Sequence, residues 1–465
     1  MSSSADLVIL GAGPAGLAAA WRAARRGYSV VVLERANVVG GMAGSFEVDG
    51  VRVDHGSHRL HPATPPQLVG ELRTLLGADL QLRRRNGRLR LAEQWLGFPL
   101  RGAELVKALP VSMMVRIGLD AAAAPLRRGP ADSYAAALRQ SLGGTLYDAL
   151  YGPYAVKLWG LPGERIDAEQ ARRRVTADTP WKIAARILRG RADGPGRLFY
   201  YPRRGFGQIV EALADSAAAA GAEIRLGAEV QRIHASPDHG VRVGTGTDEL
   251  LGNQVFSTLP LPVLARMTHP APEPAAIEAT DRLRFRAMVL VYLTHAGGRW
   301  TDYDAHYLPG PERPVTRISE PANYRQSAAD PLDRSVACAE IPCEASPTDP
   351  IWRADDAELG ELVRDTAARL ELPPLRLTAV TTKRLARVYP IYEIGFQDSL
   401  RGIDAWAAGL PRVTTFGRLG LFAHDNTHHA LAMGYDAVDA LTNGGFDEPA
   451  WAAARERFAA HVVED

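Results

Sequence analysis

The hydrophobic pattern can be phased from the first residues. Leu7–Leu10 is an unbroken apolar run of strand length. A run so short and so uniformly apolar suits a strand covered on both faces. It breaks at Gly11-Ala12-Gly13-Pro14-Ala15-Gly16. "LAAAWRAARRG" then sets small apolar residues among basic ones at helical spacing, and Gly27 closes the helix. "YSVVVLER" is a second apolar run, ending at Glu34 and Arg35. The order strand, turn, helix, strand predicts a parallel βαβ unit.

Further along, "GAEIRLGAEVQRI" (Gly221–Ile233) and "VFSTLPLPVL" (Val255–Leu264) read as strands returning to the same sheet. From "FPLRGAELVKAL" to "AARILRG" the pattern is mostly helical, with Pro and Gly breaks. The proline-rich connector "THPAPEPAA" (Thr268–Ala276) leads into "RAMVLVYLTH", "SVACAEIP" and "LRLTAVTTKRLARVYPIY". These predict a second, antiparallel sheet. Near the end, Ala430, Leu431, Gly434, Ala437, Val438 and Leu441 recur with helical spacing behind Asn426 or Thr427 as a cap. The expected class is α/β. Residues 1–95, 200–270 and 405–465 form a Rossmann-like nucleotide unit, 96–199 a helical unit and 271–404 a substrate-binding sheet unit.

At 465 residues, two or three units are expected. Apolar residues at 46% and a formal charge of +1 describe an ordinary globular chain without a nucleic-acid surface. The clusters Arg83–Arg85 and Arg172–Arg174 read as solvated faces. Cys338 and Cys343 lack metal spacing and sit in a strand pattern, which points to core thiols and a reducing compartment. The apolar N-terminus lacks a basic leader region, and no run of 18 apolar residues follows. A cytoplasmic protein without a transmembrane segment is expected.

The chemistry begins at Gly11, Gly13 and Gly16. In a strand–turn–helix context, Gly11 permits the tight turn, Gly13 lets backbone approach a pyrophosphate, and Gly16 packs helix on strand. Pro14 and Ala15 open the helix, whose N-terminus carries partial positive charge. Glu34 is placed to accept hydrogen bonds from a ribose. NAD and FAD share this fingerprint.

The next stretch separates them. "ERANVVGGMAGS" resembles the E-R-x(4–5)-G-G signature of FAD enzymes in the amine oxidase superfamily, which implies a GR2-type FAD-binding domain and a flavin loop at Gly40, Gly41, Met42 and Ala43. "GRLGLFAHDNTHHA" resembles the closing motif of UDP-galactopyranose mutases and of protoporphyrinogen-oxidase-like oxidoreductases. "GSHRLHP", "YGPYAVKLWGLPGERID", "YYPRRGFGQIVEAL" and "YPIYEIGF" are similar to further segments of that group, so the resemblance spans nearly the whole chain. It implies non-covalent FAD, with Val230 at the adenine, and Gly417, Asn426, Thr427 and His428 at the pyrimidine edge. There the helix dipole would stabilise negative charge on the reduced ring. It also implies a flavin-facing loop at Gly56, Ser57 and His58. Three departures stand out. His428 replaces an Asp, Ser57 replaces a Pro, and no Arg follows the glycine pair.

In "VDHGSHRLHP", His55, His58 and His61 could suggest a metal, but Gly56, Ser57 and Pro62 rule out a continuous helix, and no metal is expected. His58 is expected over the ring near N5 as a proton acceptor, with His61 behind it and His55 pointing elsewhere. His428 is expected at the flavin edge or on the substrate side. The expected activity is two-electron oxidation of a small organic molecule, with hydride passing to flavin N5 and dioxygen or another acceptor reoxidising it. The alternative is a non-redox sugar-nucleotide isomerase resembling UDP-galactopyranose mutase. Arg317 and Arg387 would then hold a diphosphate, with Tyr389 and Tyr392 beside them.

Overall fold

In a computed structural model, β1 (Ser3–Leu10), α1 (Pro14–Arg25) and β2 (Val30–Leu33) form the expected βαβ unit, Leu7 pairing with Val30 and Leu10 with Leu33 in parallel register. The structure describes residues 3–99, 109–127, 129–174, 198–246, 248–442 and 445–463. The alternation along β1 explains its uniform apolarity. Leu7 and Ile9 point to a core shared with α1, while Val8 and Leu10 point to a second core on the opposite face. Each fully buried side chain of this size contributes about 1.5–3 kcal/mol.

On one side of β1 lie β2 and then Glu223–Arg225, both parallel. On the other, Glu249–Ser257 is parallel and leads to the antiparallel strands Gly240–Thr245 and Val230–Ser236. Val413–Thr415 returns from the far end of the chain to pair with Glu249–Ser257. The helix Thr427–Asp439 crosses α1 closely because Gly434 has no side chain: a Cβ there would stand 2.4 Å from Ala15 O.

The second sheet is built on Phe285–Ala296, flanked antiparallel by Arg334–Cys343 and Leu377–Pro390. It too is covered on both faces. Val289, Val291 and Leu293 meet the helix Asp356–Arg369, while Met288, Leu290 and Tyr292 meet the hairpin Ser45–Val48/Val51–Asp54. Cys338 and Cys343 are buried and free, as expected.

The proposed unit boundaries meet two structural departures. The hairpin Gly87–Leu91/Gln94–Phe98 joins the second sheet through a parallel pair with Ala305–Tyr307, although the boundary at 95 assigns most of it to the nucleotide unit. Its alternation marks a half-buried hairpin but carries no information about which sheet edge it pairs with. The helix Phe396–Ala408, assigned mostly to the sheet unit, places Phe396, Ile403 and Ala407 in the first sheet's core. Of the predicted helical stretch, 100–108 and 175–197 lie outside the described residues. Inside them, helices run Val111–Ala123, Tyr134–Leu142, Gly152–Trp159 and Ala168–Arg174.

Candidate active site

The glycine loop forms a cradle. Gly11 has φ +104, and a Cβ on Gly16 would stand 2.0 Å from Gly11 O, so both positions demand glycine. Gly13 faces open space, with nothing within 4 Å of where its Cβ would be. α1 starts at Pro14 with no side-chain cap and no acidic residue in its first turn, so its leading amides are free for an anion. The Glu34 carboxylate accepts from Ala12 N–H and Ala36 N–H, both at 2.9 Å, which fixes it beside the loop. Gly40 N–H donates to Ala12 O at 2.8 Å, laying the Gly40–Gly41 turn over the cradle. Met42 is half-buried, Ala43 buried and Arg35 exposed. Ala228 N–H donates to Glu34 O at 2.8 Å, which brings the approach to Val230 beside the same strand end. Residues of this kind fit a flavin dinucleotide: open backbone for the pyrophosphate, a fixed carboxylate for the ribose and two glycine turns.

Asp54 holds the histidine loop in place. Its buried carboxylate accepts from Phe206 N–H at 2.9 Å, Ser45 Oγ–H at 2.6 Å and the Tyr201 hydroxyl, and its carbonyl accepts from Tyr292 O–H at 2.6 Å. Beyond it, Gly56 takes φ +86 against Glu340. Ser57 N–H donates to Glu340 Oε1 at 2.8 Å, and Ser57 Oγ lies 2.6 Å from Tyr324 Oη. His58 stacks on Phe206 with ring centroids 5.2 Å apart, and its Nε2–H donates to His55 O at 3.0 Å. Its other nitrogen, Nδ1, therefore carries the lone pair. Burial pushes its pKa down, against the pull of nearby Asp54.

His55 bridges a loop and a strand. Its Nδ1–H donates to Gly41 O at 3.0 Å, and its Nε2 accepts from Lys383 at 2.7 Å. Burial first, and then the Lys383 ammonium, push the His55 pKa down to about 4, so the ring is neutral at physiological pH. The sequence offered no signal for Lys383, because strand spacing alone cannot say which residue of another sheet will meet a loop.

The residues expected to bind substrate separate. Arg317 is bidentate on Glu340, with Nη2 2.7 Å from each carboxylate oxygen. Arg59 is similarly committed to Asp304 at 3.1 Å and lies over the Tyr324 ring. Tyr389 is half-buried, with the guanidinium groups of Arg174 and Arg418 over its ring at 5.1 and 5.3 Å. Tyr392 is a core residue, stacked on Phe396 at 4.1 Å with its hydroxyl on Phe422 O at 3.0 Å. Arg387 is exposed, and its pKa is lowered by partial burial and by its neighbours Arg35 and Arg266.

The short turn Gly417–Gly420 brings Gly417 (φ +81) against Ala15, and Asn426 caps Thr427–Asp439. No acidic residue occupies its first turn, so the amides of Thr427 and His428 are presented without competition from a carboxylate. His428 is buried. Burial first, then His61 and His461, push its pKa down to about 4, and its Nδ1 finds no partner among the described residues. His61 lies 6.3 Å from it, ring to ring.

A mixed sheet whose parallel centre carries a glycine cradle at its carboxyl edge, beside a second mixed sheet, defines a Rossmann-like α/β fold of the dinucleotide-binding class. The chain belongs to the flavin containing amine oxidoreductase family, whose model matches residues 14–384. A phytoene dehydrogenase from Streptomyces griseus is 28% identical over 328 residues, 65% of this chain and 62% of that protein. The chain thus spans less than two thirds of that relative's length. Among solved structures, a reduced UDP-galactopyranose mutase superposes with a TM-score of 0.81 at 20% identity, covering 99% of this chain and 100% of that one. A protoporphyrinogen oxidase-like protein from Exiguobacterium sp. 255-15 gives 0.70 at 17% identity, covering 94% and 98%. At such identities these two establish the fold. No helix among the described residues is long and apolar enough to cross a membrane.

Proposed function

We propose that the chain binds FAD non-covalently in this cradle and oxidises a small organic substrate held between the two sheets. Bound there, the flavin supplies acceptance of hydride from a substrate C–H, and dioxygen or another acceptor takes the electrons onward. Gly13 and the first amides of α1 hold the pyrophosphate, Glu34 holds the ribose, and the amides of Thr427 and His428 stand at the pyrimidine edge. His58 and His428 present neutral imidazole nitrogens for a substrate proton. Tyr389 and the paired Arg317–Glu340 line the substrate side.

The observation that carries this reading over an isomerase is the commitment of Arg317 to Glu340. A sugar-nucleotide diphosphate needs cations free to pair with it. Arg317 and Arg59 are both paired with carboxylates. The test is anaerobic. FAD-loaded protein is mixed with amines, alcohols and polycyclic compounds, and bleaching of the flavin's visible band marks a substrate. If none bleaches it, and the dithionite-reduced protein interconverts a sugar nucleotide without net oxidation, the isomerase reading replaces this one.

A further inference from the structure

We propose that the helix Val111–Ala123 docks the protein on an anionic lipid surface, with Val111, Val115, Leu119 and Leu126 entering the headgroup layer.

The helix carries two apolar faces. Met113, Met114 and Ile117 pack against Leu91, Leu96 and Leu109, which holds the helix on the hairpin Gly87–Leu91/Gln94–Phe98. At about 100° per residue, Val111, Val115, Leu119 and Ala122 fall within an arc of about 80° on the opposite side. All four are exposed, and so is Leu126 just beyond the helix end. Val111 is 80% exposed, Val115 56%, Leu119 65% and Leu126 83%. Single exposed aliphatic side chains are ordinary on a protein surface. Here four of the ten large hydrophobic residues most exposed among the described residues fall between Val111 and Leu126, and clustering of that kind marks an interaction surface.

Charge says what occupies it. Between Lys107 and Arg128 the sequence has four basic residues, Lys107, Arg116, Arg127 and Arg128, and one acidic residue, Asp120. Asp120 is withdrawn from the exposed face: its Oδ2 accepts from Thr145 N–H at 2.8 Å and its Oδ1 pairs with Arg127. Arg116 is the only charged residue among the exposed positions of the helix. An outward apolar stripe with a cation at its flank and no anion suits a helix lying in the plane of a negatively charged bilayer surface.

A second copy of the chain fits the face less well. The stripe is about 20 Å long and about 10 Å wide, roughly 200 Å² in projection. A stable interface buries about 800 Å² on each partner. A bilayer needs no such area, because each aliphatic side chain that leaves water for the acyl boundary strengthens binding by about 10- to 100-fold.

The experiment sediments full-length, FAD-loaded protein with vesicles of phosphatidylcholine alone and of phosphatidylcholine mixed with phosphatidylglycerol. The protein should bind the mixed vesicles, and added salt should weaken that binding. Val115→Gln/Leu119→Gln should weaken it on the order of 100-fold, and Arg116→Gln about fivefold. Flavin content and thermal midpoint should be retained in both variants, because the replaced side chains already face solvent. Leu332→Gln, at an exposed leucine just before the strand Arg334–Cys343, should leave binding unchanged. Absence of binding to the mixed vesicles, equal binding to both vesicle types, or full binding by the Val115→Gln/Leu119→Gln variant would each overturn the proposal. So would dimerisation that this variant abolishes, which assigns the face to a second copy, or a large fall in its thermal midpoint, which assigns the face to the chain's own packing.

Discussion

Lys383 and His55 join the two sheets at the flavin loop: the ammonium of Lys383 donates to His55 Nε2 at 2.7 Å, and the opposite ring nitrogen donates to Gly41 O at 3.0 Å. A single tautomer satisfies both bonds, so the ring must stay neutral. Its pKa is depressed to about 4, below the usual value of 6.5. A depressed pKa means that the neutral ring's contribution is fully present above the unfolded pKa and is lost as pH falls through the folded one. Folding stability is therefore expected to be flat above about pH 6.5 and to decline toward pH 4. His55→Ala should remove part of that decline, as followed by the urea midpoint across the pH series.

Glu34 holds Ala12 and Ala36 by their amides as well as facing the ribose position. Glu34→Ala should weaken FAD by about 1.5–3 kcal/mol, the range for a hydrogen bond to a charged group. Equilibrium dialysis would measure it. An affinity within twofold of the parent would remove Glu34 from the site.

Glu340 carries the charge of Arg317 and the amide of Ser57 together. Breaking a buried pair by removing one partner costs about 3–5 kcal/mol. Glu340→Ala should lower the urea midpoint accordingly. The double variant Arg317→Met/Glu340→Leu should be less destabilised than the sum of the single ones, which a double-mutant cycle would show.

His58 contributes a stacked face to Phe206 and a proton to His55 O. Under the proposed function, His58→Ala retains flavin but loses about 10²–10⁴-fold in turnover. His58→Phe preserves the stack and should be as slow. A variant with full kcat would assign the ring to packing alone.

The helix crossing at Gly434 tolerates no side chain. Gly434→Ala should cost about 1–3 kcal/mol, as overpacking does, and thermal unfolding should shift down with it.

How much of this was legible from the chain varies with the range of the contact. β1, α1 and β2 were readable because the turn glycines and the flanking runs are local, and the cap at Asn426 was readable for the same reason. The partners of the loop were not. Lys383, Glu340 and Tyr324 meet residues 55–57 from hundreds of positions away, and nothing in their own neighbourhoods marks them. The three-residue histidine spacing likewise gives no sign of the Gly41 carbonyl that His55 reaches.

The close crossing of Thr427–Asp439 on α1 also has a consequence for biosynthesis. The cradle residues leave the ribosome long before the helix that crosses them. The second sheet, meanwhile, takes its edge hairpin, Gly87–Phe98, from early in the chain. A nascent chain halted anywhere before that helix has exposed glycine turns and no closed pocket. Cofactor capture therefore waits on synthesis of that helix, and a truncation that removes it should yield apoprotein however well the first βαβ unit folds.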